Sequence, residues 1–173
     1  MMRDRQIFYQ IVKTKISNIA ILWYEQGSET RITEIILPKF SIKYLKKKYR
    51  GISPGRHKKI ERIATKIKKY ISGKKTSFTL NILDLKRLKN FQRKVLSLTS
   101  KIQRGKVESY GSIAKKLGIP KGARAVGQAL AHNPFPIIIP CHRVIKSDGS
   151  IGGFGGNIDL KRKLLKIEGV GIK

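Results

Sequence analysis

The chain has 173 residues, 40% of them apolar, enough for a real core and too many for a disordered polycation. Thirty-nine Lys and Arg stand against ten Asp and Glu, a formal net charge of +29; a solvated thermophile-type surface would give such a count, and a folded chain this short also predicts a polyanion partner. Prolines from Pro134 to Pro140 break the longest apolar run, so no membrane span is expected, and no signal-peptide core follows Met1 to Gln6, so an intracellular, cytoplasmic and reducing setting is expected.

Residues 7–37 read as β structure. Ile7, Tyr9 and Ile11 alternate, Ser17 to Tyr24 is rich in β-formers, and a Gln26 to Glu29 turn leads into Arg31 to Leu37, an antiparallel hairpin ended by Pro38. The charge-dense segment 42–50 has no clear period, and Ser53-Pro54-Gly55 reads as a loop. Ile60, Ile63, Ala64, Ile67 and Ile71 predict an amphipathic helix over 57–72, stopped at Gly73. Thr76 to Ile82 reads as a further strand. These elements form a small α/β unit, expected to span residues 1–85.

Residues 86–173 read as mainly helical. Phe91, Val95, Leu98 and Ile102 share one helical face. Ser109 is placed to cap a helix that Gly118 stops, with Pro120 beyond. A short helix from about Gly122 to His132 follows, with Ala123, Val126, Leu130 and Ala131 as its apolar face, and Asn133-Pro134 ends it. Two short helices about a glycine turn fit a helix-turn-helix or an ordinary αα-hairpin. Gly122, Ala123, Ala125 and Gly127 favour close approach to a partner backbone, with Arg124 projecting from the same helix. Ile137 to Ile139 should be extended and buried. Val144 to Ile151 reads as a hairpin about Asp148-Gly149. Gly152 to Gly156 around Phe154 is a linker or a wall that lets backbone approach a ligand. Asn157 caps a last helix carrying Leu160, Leu164 and Ile167. The expected fold class is thus α/β (α+β): a small three-stranded antiparallel sheet with helix, then a winged-helix-like domain with a helix-turn-helix.

Cys141 is the only cysteine. It can form no internal disulfide and no multi-cysteine zinc cage, so it is either an inert core residue or a nucleophile. Burial alone would raise its pKa and leave it inert. Activity needs a base. His142 is adjacent in sequence, which disfavours direct contact and favours relay through a water. Glu168 could orient the imidazole, giving the logic of a triad. His57, His132 and His142 show no metal-ligand spacing, so no metal is expected.

Pro140-Cys141-His142-Arg143-Val144 is preceded by Ala123-Arg124-Ala125-Val126-Gly127 and Asn133-Pro134-Phe135-Pro136-Ile137. It is followed by Leu164-Leu165-Lys166-Ile167-Glu168-Gly169. Each motif is weak alone, but the ordered set over residues 88–173 resembles the O6-alkylguanine-DNA alkyltransferases. The resemblance implies that Cys141 accepts the alkyl group in a single irreversible turnover, without a cofactor. It implies that His142, through a water and paired with Glu168, removes the thiol proton. Tyr110 would rotate the nucleotide's phosphate and sit near guanine; Asn133 would shape the turn supporting the active-site strand. Pro136, Val144, Phe154, Gly155 and Gly156 would line the base pocket, with Lys161 and Ser147 nearby. Gly111, Ala123, Arg124, Ala125, Gln128 and Ser147 would contact DNA, the helix lying in the minor groove and Arg124 filling the space of the flipped base. The partner so implied is double-stranded DNA carrying O6-alkylguanine, and a monomer is expected. The cysteines of the zinc site found in some relatives are missing, and Gly155 stands where some have serine, which bears on the range of adducts.

These roles agree with elementary physics. A base inside a duplex hides its O6 substituent and must be extruded at a cost of a few kcal/mol. Searching without reading sequence calls for phosphate contacts, which basic charge supplies. A cysteine hydrolase built on Cys141, His142 and Glu168 would leave the charge and the helix-turn-helix without a purpose. A non-catalytic lesion binder would have no need of the thiol.

Overall fold

The computed structural model describes residues 5–38, 41–155 and 157–171. The fold is mixed α/β and divides into two compact units, residues 1–84 and 85–173.

The first unit is built on β1 (Phe8–Lys13), β2 (Asn18–Gln26) and β3 (Glu29–Ile36), an antiparallel meander with β2 in the middle. Ile19 to Tyr24 are all buried, as a central strand covered on both faces requires. A bulge at Leu22/Trp23 leaves Thr33 without an opposite residue, and its hydroxyl donates to the Leu22 carbonyl at 3.2 Å. Segment 42–50 folds as α1 (Ile42–Lys48), capped by Ser41, with only Leu45 buried. Leu45 joins Tyr9, Ala20, Leu22 and Ile52 in one apolar cluster. Ser53-Pro54, expected as loop, adds β4 (Ser53–Pro54), a two-residue parallel edge on β1. The amphipathic α2 (Lys58–Ile71) buries Ile60, Ile63, Ala64, Ile67, Tyr70 and Ile71.

The strand expected over Thr76 to Ile82 does not form. Only the end of that segment meets β3: Ile32 donates to the Ile82 carbonyl at 2.8 Å and Asp84 donates to the Ile32 carbonyl at 2.9 Å, a single bridge. β-forming residues without a ladder partner stay irregular.

The second unit begins with α3 (Asn90–Ser100). Its buried face is Val95, Leu96 and Thr99; Phe91, expected on that face, is exposed. β5 (Glu108–Ser109) leads into α4 (Tyr110–Lys116), where Ser109 Oγ accepts from the Ser112 amide at 3.0 Å. Gly118 follows at φ +76, the left-handed stop that suits glycine. α5 (Ala123–Ala131) packs on α4 and α3, which makes the pair a helix-turn-helix. Its buried positions are Val126, Ala129 and Leu130, while Arg124, Ala125, Gln128 and Ala131 are exposed. Ala131 is thus on the outer face, not the inner one.

Two expectations about the following stretch change. Residues 137–139 are buried but turned rather than extended: Ile137 has φ +73 and Ile139 donates to the Phe135 carbonyl at 2.8 Å. No antiparallel hairpin forms after Val144. β6 (Val144–Ile145) pairs in parallel with β5, and Asp148-Gly149 makes a tight turn closed by Lys146 and Ser150 at 2.9 Å. The last helix, α6 (Ile158–Ile167), starts with Asn157 Oδ1 accepting from the Leu160 amide at 3.1 Å.

Candidate active site

Cys141 opens a 3₁₀ turn over Cys141–Arg143, not a strand. Asn133 organises the approach to it. Its Oδ1 accepts from the Phe135 amide at 2.9 Å, and its Nδ2 donates to the Ile139 carbonyl at 3.0 Å and to Cys141 Sγ at 3.1 Å. One amide thereby holds the strained turn and the sulfur together. Burial pushes the Cys141 thiol above its usual pKa, opposed by the Asn133 hydrogen bond and the Lys161 cation. Deprotonation therefore needs a base.

His142 and Glu168 meet away from solvent, Nε2 to Oε1 at 3.0 Å, both side chains fully buried. Burial holds His142 below the usual histidine range, with Arg143 and Lys161 acting the same way and Glu168 opposing. A neutral imidazole can take a proton, and the carboxylate beside it steadies the cation that results. His142 also stands edge-on to Phe154, ring centres 6.5 Å apart.

Arg143 is the residue that sequence reasoning missed. Its guanidinium reaches Glu168 at 2.8 Å from Nη2 and 2.9 Å from Nε, and Nη1 donates to the Ile102 carbonyl at 2.5 Å. The Gly105 amide also donates to the carboxylate at 3.2 Å. A buried glutamate needs a cation, and the arginine next to the catalytic pair in sequence was the available signal.

Lys161 is also fully buried. Its Nζ donates to the Val144 carbonyl at 2.5 Å, the Gly153 carbonyl at 3.2 Å and the Tyr110 hydroxyl at 3.4 Å. Burial lowers it to about 8. Tyr110, first residue of α4, also donates to the Gly153 carbonyl at 3.3 Å, and burial raises its pKa. Gly152 lets the loop pass this ring. A Cβ there would come within 2.9 Å of it, and φ is +66.

A cavity of about 540 Å³ opens over the sulfur. Among the expected residues, Tyr110, Cys141, Phe154 and Gly155 line it, with Ala123, Arg124 and Gln128 on the α5 side. Gly127, Lys146, Gly152 and Gly153 line it as well. Pro136 and Val144, expected as pocket walls, do not: both are buried behind it, and Val144 contributes its carbonyl to Lys161. Lys161 likewise supports the lining from beneath. Ser147 is exposed in the Asp148 turn, Ala125 on the outer face of α5, and Gly111 is half-buried in α4. Gly156 lies outside the described residues. Among the described residues, no cluster of three or more His, Cys, Asp or Glu could hold a metal, and no helix is long and apolar enough to cross a membrane.

The geometry offers a thiol at the foot of a cavity, a neutral base backed by a carboxylate, and an exposed helix face rich in small residues. The chain is similar to known proteins in sequence and in fold. The family described as 6-O-methylguanine DNA methyltransferase, DNA binding domain, matches residues 90–170. A protein of Methanothermobacter thermautotrophicus, named methylated-DNA–protein-cysteine methyltransferase, is 36% identical over 156 residues, 90% of this chain and 82% of that one. The structure of Mycobacterium tuberculosis O6-methylguanine methyltransferase superposes with a TM-score of 0.77 at 32% identity, covering 94% of this chain and 93% of that one. The M. tuberculosis OGT structure in complex with DNA gives 0.75 at 34% identity, covering 93% and 92%.

Proposed function

The chain belongs to the methylated-DNA–protein-cysteine methyltransferases, and from that premise we propose which of its residues carry the reaction. The protein is a DNA repair methyltransferase that moves the alkyl group of O6-alkylguanine in DNA onto a cysteine of its own, once per molecule. Cys141 is that cysteine. Its Sγ, at the foot of the cavity beside the buried His142–Glu168 pair, is the observation that carries the assignment.

With Nε2 engaged by Glu168, Nδ1 of His142 takes the thiol proton through a water, and Glu168 offsets the imidazolium charge. The thiolate attacks the alkyl carbon in line with the guanine oxygen. The S–C bond forms, the C–O bond breaks, and the electron pair goes to O6. The proton lost by the thiol is returned to the base, which leaves as neutral guanine. Tyr110, steadied by the Lys161 ammonium, turns its one hydroxyl proton from the Gly153 carbonyl toward the developing charge. Asn133 aims the sulfur. The product thioether is stable, and nothing in the site restores the thiol.

The exposed face of α5 lies along the minor groove, where Ala123 and Ala125 allow close approach and Arg124 takes the place of the extruded base. Gln128, Gly111 and Ser147 contact the backbone around it. The machinery falls within residues 86–173, with residues 1–85 as a supporting domain. The protein works as a monomer without cofactor, in the cytoplasm where DNA is met.

The test is single-turnover transfer from a duplex containing O6-methylguanine, followed by peptide mass mapping. One methyl on the peptide bearing Cys141, no more than one per chain and none in Cys141→Ala, is expected. Tight lesion binding without transfer, or methyl on another residue, sinks the assignment.

A further inference from the structure

Half of the positive charge has no part in the site above. Residues 1–84 hold twenty Lys and Arg against six Asp and Glu, a net of +14, and residues 85–173 hold nineteen against four, a net of +15. Among its described residues the first unit carries no helix-turn-helix, yet it is as basic as the second.

Four of its cations converge. A concavity of about 480 Å³ is bounded by the start of β3, by α2 and by segment 79–82. Lys59, Arg62 and Lys66 border it from α2, and Arg31 from β3. The three helix residues are spaced i, i+3 and i+7, so they share one face. Glu61, the one acid on α2, falls on the opposite side by helical geometry.

Among the described residues, Glu29 is the only carboxylate lining the concavity, and Arg31 pairs with it at 2.9 Å. Those two charges cancel and leave the three cations of α2. Lys66 spends one donor on the Ser77 carbonyl at 3.0 Å. Among the described residues, neither Lys59 nor Arg62 has an ion-pair partner. Like charges gathered on one helix face repel and destabilise it. A surface charged only for solvation would intersperse acids among them.

The remaining lining suits a phosphodiester. Ser28, Thr79 and Asn81 offer neutral hydrogen-bond donors, and the apolar part is two isoleucines, Ile63 and Ile82. Among the described residues, no aromatic ring lines it to stack on an unpaired base. We propose that this face of the first unit is a second DNA-binding site, which takes the phosphodiester backbone of undamaged duplex without reading sequence. It deepens the reading that the protein works on DNA and supplies a role for a unit outside the transfer chemistry. Contacts of this kind hold a searching protein near the duplex between lesions.

The experiment measures affinity for an undamaged duplex against salt, using the full chain. It compares wild type, the triple variant Lys59→Gln/Arg62→Gln/Lys66→Gln, and Arg124→Gln. Each phosphate contact contributes about 0.9 to the slope of log affinity on log salt, so the triple variant should lose roughly two to three from it. Lysine acetylation of the wild type, mapped by mass spectrometry, should show Lys59 and Lys66 protected by duplex but not by inorganic phosphate at equal ionic strength. A triple variant with the wild-type slope, together with Lys59 and Lys66 equally reactive with and without duplex, overturns the proposal. If Arg124→Gln still weakens binding in that case, the reading of the α5 face stands and only the second site falls. Protection by inorganic phosphate alone would make the concavity a small-anion site and would also overturn it. The footprint uses unaltered protein, so misfolding of the triple variant leaves the test intact.

Discussion

Replacing Arg143 with glutamine should damage stability and chemistry together, and for one reason. The guanidinium reaches Glu168 at 2.8 and 2.9 Å, and the carboxylate is fully buried. Opposite unit charges about 4 Å apart attract by about 4 kcal/mol at an effective dielectric of about 20. Removing one partner of a buried pair typically costs about 3–5 kcal/mol, because the other charge stays buried. In Arg143→Gln the carboxylate loses the guanidinium and acts more strongly on His142, 3.0 Å away. Arg143 is one of the influences that keep the imidazole pKa low, so its loss raises that pKa. A protonated His142 cannot accept the thiol proton.

The expected result is about 3 kcal/mol less stability in urea and slower transfer at pH 7. The acid limb of the pH–rate profile should also move to higher pH. Single-turnover quench over pH 5.5–9 reads the rate, and equilibrium unfolding reads the stability. A merely structural role would leave the acid limb unmoved. Arg143→Lys should restore part of the stability but not the two-pronged geometry. In a double-mutant cycle with Glu168→Gln the losses should be non-additive by more than about 1 kcal/mol. An unshifted acid limb with less than about 1 kcal/mol lost would refute the reasoning.

Gly152→Ala should slow transfer at least tenfold by forcing a methyl within 2.9 Å of the Tyr110 ring, whereas Gly149→Ala, with a similar positive φ but nothing within 4 Å, should cost stability alone; equal rates in the two variants would contradict this. Lys161 is lowered to about 8 in the folded protein, against about 10.4 unfolded. The unfolded chain therefore binds more protons between those values, and stability should rise with pH across that window by roughly 3 kcal/mol from this group. Urea unfolding from pH 7.5 to 10.5 should show that rise in the wild type and lose it in Lys161→Met; the same pH slope in both would be the failing result. Methylation of Cys141 adds volume to a packed site and weakens the sulfur as acceptor from Asn133 at 3.1 Å. A cost of about 1–2 kcal/mol lowers Tm by roughly 5 °C or more for a unit of this size; identical melting curves before and after transfer would rule it out.

Much of this protein is local, and local information is what a sequence carries. The caps at Ser109 and Asn157 and the stop at Gly118 are decided by side-chain and backbone geometry within a few residues, and each is where residue type places it. The periodicity of α2 and the β-forming composition of the first three strands are equally local, and the fold class follows from them. The ordered motifs from Ala123 to Glu168 sufficed to name the family. What required tertiary structure is whatever depends on a partner far along the chain. Thr76 to Ile82 has the composition of a strand but no ladder beside it, so it stays irregular. Val144-Ile145 could have folded back on its own hairpin, but its edge is taken in parallel by Glu108-Ser109, 36 residues earlier. Periodicity placed Phe91 inside, and burial of the next face put it outside. The same holds in the site. Cysteine, histidine and glutamate announce a chemistry, but Arg143 closing on Glu168 and Lys161 buried beneath Tyr110 are decided by where α6 lies against the 141–143 turn. A buried charge must find its opposite in three dimensions, and no spacing along the chain specifies which one it will be.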